Sequence, residues 1–419
     1  MNIWIVQIGE PTPTEFLDNE RLMRSGLLAR SLAERGHKVT WWATTFDHAR
    51  KEYRYKHHTI YNWLPGVTIR FLHSPTPYRK NLSLSRIVNH REVARDFRKT
   101  LNTQERPDVI LCGMPIPELC VEVVRFGKRE SIPTYLDIRD LWPDDMIRLI
   151  PWWARWATRW LLYPIEKQVT EACQKASGIC ATSPIFVDWG LRHASRVKRE
   201  EDADFPLGYS DYEPSDYEQE QAVSYWKKHG ITEQSEDFVI CFFGALGATC
   251  LLKPAIDAVR SLKKEGRKVR LVICGKGDHY EDFRKYASGA ENVMFTGWVA
   301  RPEIWTLMRF ADVGLVPVFN IFSYMSNYPN KTIEYMSAGL PLLSSLNGIL
   351  GQLIKEKNIG VVYEGHDVDN LCGKIKELMD QHSKREEMSC NARILFKQRF
   401  AAEKVYAQFS DHLERNLTV

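Results

Sequence analysis

Lys331 and Glu334 stand three residues apart, directly after the run Tyr328-Pro329-Asn330. On a helix that spacing puts both side chains on one side. An ammonium beside the unpaired amides of a helix start suits a pyrophosphate, and a carboxylate one turn further can accept both hydroxyls of a ribose. The competing interpretation is a solvated Lys–Glu pair worth about 0.3 kcal/mol. Pro329 is expected in the first turn of a helix over 329–338, and a polar loop with Asn320, Ser323, Ser326 and Asn327 leads into it. Three further segments place glycine after an apolar run: Gly244-Ala245-Leu246-Gly247, Gly275-Lys276-Gly277 and Gly297-Trp298-Val299. Glycine there lets backbone amides come close to a bound phosphate or base. All these residues together specify a nucleotide-diphosphate site in the C-terminal half.

The N-terminal half offers a second set. Gly9-Glu10-Pro11-Thr12-Pro13 follows the first apolar run, and Glu10 and Glu15 can orient an acceptor hydroxyl or hold an amino sugar; otherwise they are ordinary loop acids. Asp47, His48, Arg50 and Lys51 follow the second apolar run in the same way, with packing or capping as the alternative for His48. Arg139 and Asp140 form a charged pair beside a strand end, where charges need partners to offset lost hydration.

Apolar runs alternating with helical patterns must position these residues. Ile3–Ile8, Val39–Thr44, Val67–Leu72, Val109–Cys112, Thr134–Ile138 and Gly178–Thr182 are predicted strands, with a helix over 19–35 burying Leu22, Met23, Leu27, Leu28 and Leu32. From about Asp202 to Glu233 the pattern weakens, which reads as a domain boundary. A second series follows: Phe238–Phe243, Val269–Cys274, Val293–Thr296, Val313–Val316, Leu340–Ser344 and Gly360–Tyr363. Helices over 251–264 and 329–338 interleave with these strands. Alternation of this kind specifies parallel sheets covered on both faces, so the fold class is α/β with two Rossmann-like, doubly wound domains. The expected division is 1–205, 206–390 and a last amphipathic helix over 391–414 that either finishes the second domain or crosses back to the first. Ligands in such sheets sit beyond the carboxyl ends of the strands; the expected active site is a cleft between the two.

At 419 residues with 44% apolar and 26% charged residues the chain can bury a large core. A net charge of +4 gives no argument for nucleic acid. Its nine cysteines form no CxxC pair and no close Cys/His cluster, which reads as buried thiols, a reducing compartment and no structural zinc. No signal peptide is expected, and no apolar run reaches the length of a membrane span. Two segments nevertheless point to a membrane surface. Residues 78–99 hold seven Arg or Lys against Glu92 and Asp96. Trp152, Trp153, Trp156 and Trp160, four of thirteen tryptophans, fall within nine residues beside Arg148, Arg155 and Arg159. Tryptophan suits the lipid interface and arginine the headgroups; a packed interdomain helix or a dimer face is the alternative.

With these residues in view, the chain resembles the family-4 retaining glycosyltransferases of the two-Rossmann-domain GT-B fold, in particular bacterial enzymes of O-antigen, capsule and exopolysaccharide assembly. The likeness rests on Arg35-Gly36-His37-Lys38-Val39, Arg106-Pro107-Asp108-Val109-Ile110, Ala311-Asp312-Val313-Gly314-Leu315-Val316-Pro317 and the run from Pro329 to Pro341. Asp137-Ile138-Arg139-Asp140-Leu141-Trp142-Pro143 is similar to an amino-sugar transferase branch. The resemblance implies a ribose role for Glu334, a base contact at the Val299 backbone and around Gly275, and a place for Gly247 beside the transferred sugar and phosphates. Lys276, Gly277, Ser323, Ser326, Asn327, Asn330 and Lys331 complete the expected donor set, and Arg139, Asp140, Lys331 and Glu10 the expected catalytic set. Where the family carries a first glutamate this chain has Ser326, where it carries basic residues after the first C-terminal strand it has Ala245 and Cys250, and Arg139 stands where a histidine is common.

The expected reaction moves a hexosyl or N-acetylhexosaminyl group from a nucleoside-diphosphate sugar to a polyprenyl-diphosphate-linked saccharide, with retention at the anomeric carbon. UDP is the expected nucleotide, with dTDP and GDP open. Neither a cofactor nor a metal is expected, since no Asp-x-Asp motif occupies the donor loops. The protein is expected in the cytoplasm, peripherally on the inner face of the membrane through Trp152, Trp153, Arg155, Trp156, Arg159 and Trp160. The alternatives are a non-hydrolysing UDP-N-acetylglucosamine epimerase and an inactive nucleotide-sugar-binding scaffold.

Overall fold

A computed structural model describes residues 1–14, 21–80, 83–148 and 150–415, without the side chain of Asn102. Glu15 and the expected start of the first helix near Asn19 lie outside the described residues. The chain divides into two compact units, Met1–Pro206 with Val405–Val419, and Leu207–Lys404.

The first unit is built on an eight-stranded sheet in the order Ala203–Asp204, Gly178–Ala181, Thr134–Ile138, Val109–Met114, Asn2–Val6, Lys38–Thr44, Val67–Leu72, Thr59–Leu64. All neighbours pair parallel except Thr59–Leu64, which runs antiparallel at one edge. Asn2–Val6 has neighbours on opposite sides in chain order, so the direction of winding reverses there. Its residues are all buried, as a strand covered on both faces requires.

The second unit has six parallel strands in the order Val293–Gly297, Val269–Cys274, Phe238–Phe243, Val313–Val316, Leu342–Ser344, Gly360–Val362. Winding reverses at Phe238–Phe243. Because successive strand residues point to opposite faces, Val239, Cys241 and Phe243 join one core layer while Phe238, Ile240 and Phe242 join the other.

The structure corrects several boundaries. The first helix is Arg24–Glu34, so Leu22 and Met23 precede it and are only half-buried. Asp216–Lys228 is a helix inside the stretch expected to be irregular, opened by a Ser215/Glu218 capping box. The expected single helix over 391–414 is two: His382–Leu395 continues into a π turn at Phe396–Phe400, and after Ala401 a new helix spans Ala402–Arg415. From Val405 onward it belongs to the first unit. There Phe409 stacks on Phe205 at 4.2 Å, and Arg35 donates to Asp411 at 2.6 Å and Glu414 at 3.0 Å. Among the described residues no helix is long and apolar enough to cross a membrane.

Candidate functional site

Each unit gathers candidate residues at the carboxyl ends of the strands where its winding reverses. In the second unit the three glycine turns lock together through backbone bonds. Gly244 donates to the Cys274 carbonyl at 3.0 Å, Gly275 to Gly297 at 2.6 Å, and Leu246 to Lys276 at 3.0 Å. Gly275 has φ +142°, and a methyl group built there would sit 1.9 Å from the Gly244 carbonyl oxygen. Only glycine fits so close a crossing.

Helix Asn330–Ser337 starts beside this knot. Pro329 is its N-cap, not a member of its first turn, because its ψ of 139° is extended; the helix is one residue shorter at each end than expected. Lys331 reaches back so that its ammonium is 4.0 Å from the Phe242 ring centroid and 3.2 Å from where a methyl on Gly244 would lie. Burial lowers its pKa to about 8, with the charge of Glu334 pulling the other way. Glu334 is buried. The preceding loop is tied down: Asn320 Nδ2 donates to the Ser345 carbonyl at 2.8 Å, and the Tyr324 hydroxyl lies 3.2 Å from Thr249 Oγ1. Ser326 is buried, Ser323 and Asn327 are half-buried, and Asn330 is exposed. Gly247 lines a cavity of about 780 Å³ together with Cys250, His279 and Tyr286. Lys276 and Gly277 are exposed, and Val299 packs on the core edge beside the exposed Trp298. A cation, a helix start, glycine amides and a carboxylate one turn on are thus gathered by the locked turns. Such a set can neutralise and orient a diphosphate.

The first unit gathers Glu10 and Arg139 around Asp137. Asp137, fully buried at the end of its strand, accepts from Arg139 Nε at 2.7 Å and from Arg24 Nε and Nη2, both at 2.8 Å. Arg139 also donates to Glu10 and, at 3.0 Å, to Ser25 Oγ, while the Ser25 amide donates to Glu10 at 2.8 Å. Glu10 thereby helps satisfy the start of the first helix, and each guanidinium nitrogen of Arg139 has a partner within the unit. Arg24 went unnoticed in the sequence; besides Asp137 it donates to the carbonyls of Phe205 at 2.7 Å and Pro206 at 3.1 Å. Its only sequence signal is a charge in an apolar helix face.

Asp140 lines a separate cavity of about 130 Å³ with Gln7, His48, Tyr78, Arg86 and His90. Asp140 is exposed as a residue, yet the protein packed around its carboxyl and then Asp145 raise its pKa to about 6, against Arg139 and Arg86. His48 Nδ1 is 2.6 Å from the Tyr78 hydroxyl. Asp47 is instead structural: it accepts from Arg54 at 2.6 Å and from the Ala49 and Arg50 amides at 2.8 and 2.9 Å.

Trp152, Trp153, Trp156 and Trp160 are 65–80% exposed among the described residues. They do not share one helix: Trp152–Ala154 is a 3-10 turn, and Arg155–Lys175 is the helix that follows. Arg155 and Arg159 are exposed beside them. Among the described residues no group of His, Cys, Asp and Glu is arranged to hold a metal ion.

The sequence matches the Glycosyl transferase 4-like domain over residues 24–197 and Glycosyl transferases group 1 over residues 226–395. It is 30% identical over 148 residues to the alpha-monoglucosyldiacylglycerol synthase of Streptococcus pneumoniae, which covers 33% of this chain and 32% of that protein. The chain therefore aligns with less than half the length of the curated relatives it matches. In three dimensions it is similar to sucrose-phosphate synthase from Thermosynechococcus elongatus, with a TM-score of 0.72, 15% identity, and 100% of this chain and 99% of that one covered. It is similar also to Anabaena HepE in complex with UDP and glucose, with a TM-score of 0.66, 15% identity and coverage of 99% and 100%. At these identities the structural likeness speaks to the fold alone. One glycosyltransferase family matches each unit, and the chain belongs to the family-4-like glycosyltransferases of the GT-B fold.

Proposed function

We propose that the protein moves a hexosyl or N-acetylhexosaminyl group from a nucleoside-diphosphate sugar, with UDP as the nucleotide, to a hydroxyl of a polyprenyl-diphosphate-linked saccharide, with retention. The observation that carries this reading is the placement of Lys331 against the Gly244 turn with Glu334 one helical turn beyond. In the reaction the acceptor oxygen forms a bond to the anomeric carbon as the bond from that carbon to the diphosphate breaks. The electron pair leaves with the diphosphate, which Lys331 and the amides of the helix start stabilise. The acceptor's hydroxyl proton passes to the departing phosphate oxygen on the same face, so no dedicated protein base is required. Arg139 and Glu10 act as positioning residues, through Asp137 and the start of the first helix. Glu334 holds the ribose. No metal is assigned a part, and chelation is expected to leave turnover unchanged.

Two observations favour a lipid-linked acceptor in surface-polysaccharide assembly. Four exposed tryptophans flanked by Arg155 and Arg159 suit the inner face of the cytoplasmic membrane, and the pneumococcal relative is by name a synthase of a glycosylated diacylglycerol. HepE, crystallised with UDP and glucose, supports the donor class. The test is a screen of purified protein against nucleotide sugars with a lipid-diphosphate acceptor in vesicles, scored for sugar transfer. Transfer is the expected result. Turnover of UDP-N-acetylglucosamine without acceptor favours an epimerase, and binding without any turnover favours a scaffold.

A further inference from the structure

We propose that Arg399 and Arg393 are positioning residues of the donor half: they grip the two ends of helix Asn330–Ser337 and so hold Lys331 and Glu334 in place for the diphosphate and ribose of the nucleotide sugar. The inference rests on the donor reading above and adds to it the device that sets these two side chains. All the residues concerned lie within the second unit.

The grip at the helix start runs through Tyr328. Arg399 Nη2 donates to the Tyr328 hydroxyl at 3.2 Å, and Arg399 Cζ lies 5.1 Å from the Tyr328 ring centroid and 5.4 Å from that of Phe400. The rings of Tyr328 and Phe400 meet edge to face at 5.4 Å. Tyr328 is buried, held by its hydroxyl and its ring together. Between it and Lys331 the chain has little slack. The Tyr328 amide donates to Asn327 Oδ1 at 2.8 Å. Pro329 is locked by its ring at φ −60°, and its carbonyl accepts from the Thr332 amide at 2.9 Å and the Thr332 hydroxyl at 2.7 Å. A shift of Tyr328 therefore carries directly into the turn that bears Lys331.

The other end is held by Arg393. Its Nη1 donates to the Ser337 carbonyl, one of the acceptors that a helix end leaves open, and to Asp211 Oδ1 at 3.1 Å, while Nη2 donates to Asp211 Oδ2 at 2.6 Å. Just past that end Gly339 has φ +70°, and a methyl built there would lie 3.3 Å from Ser389 Oγ and 3.8 Å from Arg393 Cβ. The donor helix and helix His382–Leu395 approach closely at this point. The two arginines are spaced by the π turn Phe396–Phe400, closed by the Ala401 amide donating to the Phe396 carbonyl at 2.9 Å. Such turns are rare and recur at functional sites. Here the turn is itself tied down, since the Tyr209 amide donates to the Phe400 carbonyl and the Ala402 amide to the Tyr209 carbonyl, both at 3.0 Å.

Ala392, Leu395, Phe396 and Phe400 share one core layer with Tyr328, Ile333 and Met336. Apolar packing is non-directional: it sets how far the helix stands from its neighbours, whereas polar grips at both ends set its slide along its own axis. A slide of one residue, about 1.5 Å, would take Lys331 off the Phe242 ring and the Gly244 turn. A displacement of about 1 Å in a catalytic group can lower a rate about a hundredfold.

The grip is tested first on the intact, ligand-free chain by amide hydrogen exchange over residues 328–337, read against strand Phe238–Phe243, whose amides report global opening. Wild type, Arg399→Met, Tyr328→Phe and the double variant are compared. Each single variant is expected to exchange about tenfold faster in the helix relative to the strand, and the double variant no faster than the singles. Arg399→Lys keeps a donor for the hydroxyl and is expected to recover part of the protection. Arg393→Met supplies a second reading, from the other end of the helix, should Arg399→Met fold poorly. The same proteins are then titrated with UDP, dTDP and GDP. Affinity for the nucleotide that wild type binds is expected to fall about tenfold in Arg399→Met and to return in part in Arg399→Lys. Equal exchange in all variants, or unchanged nucleotide affinity where exchange has risen, overturns the inference. Faster exchange in a protein whose wild type binds none of the nucleotides leaves the grip standing and removes the donor reading; nucleotide binding with equal exchange does the reverse.

Discussion

Replacing Lys331 with methionine separates the function of this residue from its contribution to stability. Lys331 keeps its ammonium over the Phe242 ring and against Gly244, in surroundings that lower its pKa from 10.5 to about 8. The folded state therefore disfavours the charged form, and below pH 8 the wild-type protein bears a cost bounded at about 3 kcal/mol. Between pH 8 and 10.5 the unfolded chain binds the proton that the folded chain has lost, so wild-type stability rises with pH in that window. A methionine of similar length carries no such term. Lys331→Met is thus expected to be at least as stable as wild type at pH 7, with the difference shrinking toward pH 10.5. Its donor chemistry should fare oppositely. A charge-assisted bond to a diphosphate contributes about 1.5–3 kcal/mol, so kcat/KM for the nucleotide sugar should fall about 10- to 150-fold. In wild type the same parameter should decline above about pH 8 as the free protein loses the Lys331 proton, and in the variant that limb should vanish. The assay is steady-state release of nucleoside diphosphate across pH 6–10, with thermal melts on the same samples. A variant that keeps wild-type kcat/KM, or one that loses activity only because it unfolds, refutes the assignment.

Glu334→Ala should reduce donor-dependent turnover about tenfold or more with an unchanged melt; near-normal donor affinity and rate would remove the ribose contact. Gly275→Ala places a methyl 1.9 Å from the Gly244 carbonyl at φ +142°, and a denaturant titration should show a loss of about 2 kcal/mol or more. Arg24→Met leaves Asp137 buried without its bidentate partner, at an expected cost of about 3–5 kcal/mol; adding Asp137→Leu should recover part of it, and no recovery would argue against charge burial as the cause. Exchanging Trp152, Trp153, Trp156 and Trp160 for serine should weaken co-sedimentation with anionic vesicles without affecting the melt. Equal sedimentation would mean the exposed tryptophans serve another surface.

Both sheets were legible in the sequence because their central strands are unbroken apolar runs, Phe238–Phe243 being buried throughout. The donor half was legible for a related reason: glycines at three strand ends and Lys331 with Glu334 on one turn are local patterns. Asp216–Lys228 escaped because most of its surface is solvated and charged. Ala222 and Trp226 are its only buried residues, four positions apart, and the Ser215-x-x-Glu218 capping box was the missed cue. Contacts between remote residues left no periodic trace. Arg24 meets Asp137 across 113 positions, and nothing in the 78–99 run distinguishes Arg86, which turns toward Tyr78, from its outward neighbours. The partners that the charged residues Arg139 and Asp140 need were not legible either: Arg139 finds Asp137 two positions back and Glu10 across 129 positions.

The most direct test of the account is to follow the first-formed product by proton NMR, using UDP-α-N-acetylglucosamine and UDP-α-glucose with a polyprenyl-diphosphate-linked saccharide in vesicles. The account predicts an α-linked saccharide appearing in step with UDP, and no product when the acceptor is omitted. A β-linked first product, or an epimerised nucleotide sugar formed without acceptor, would contradict it.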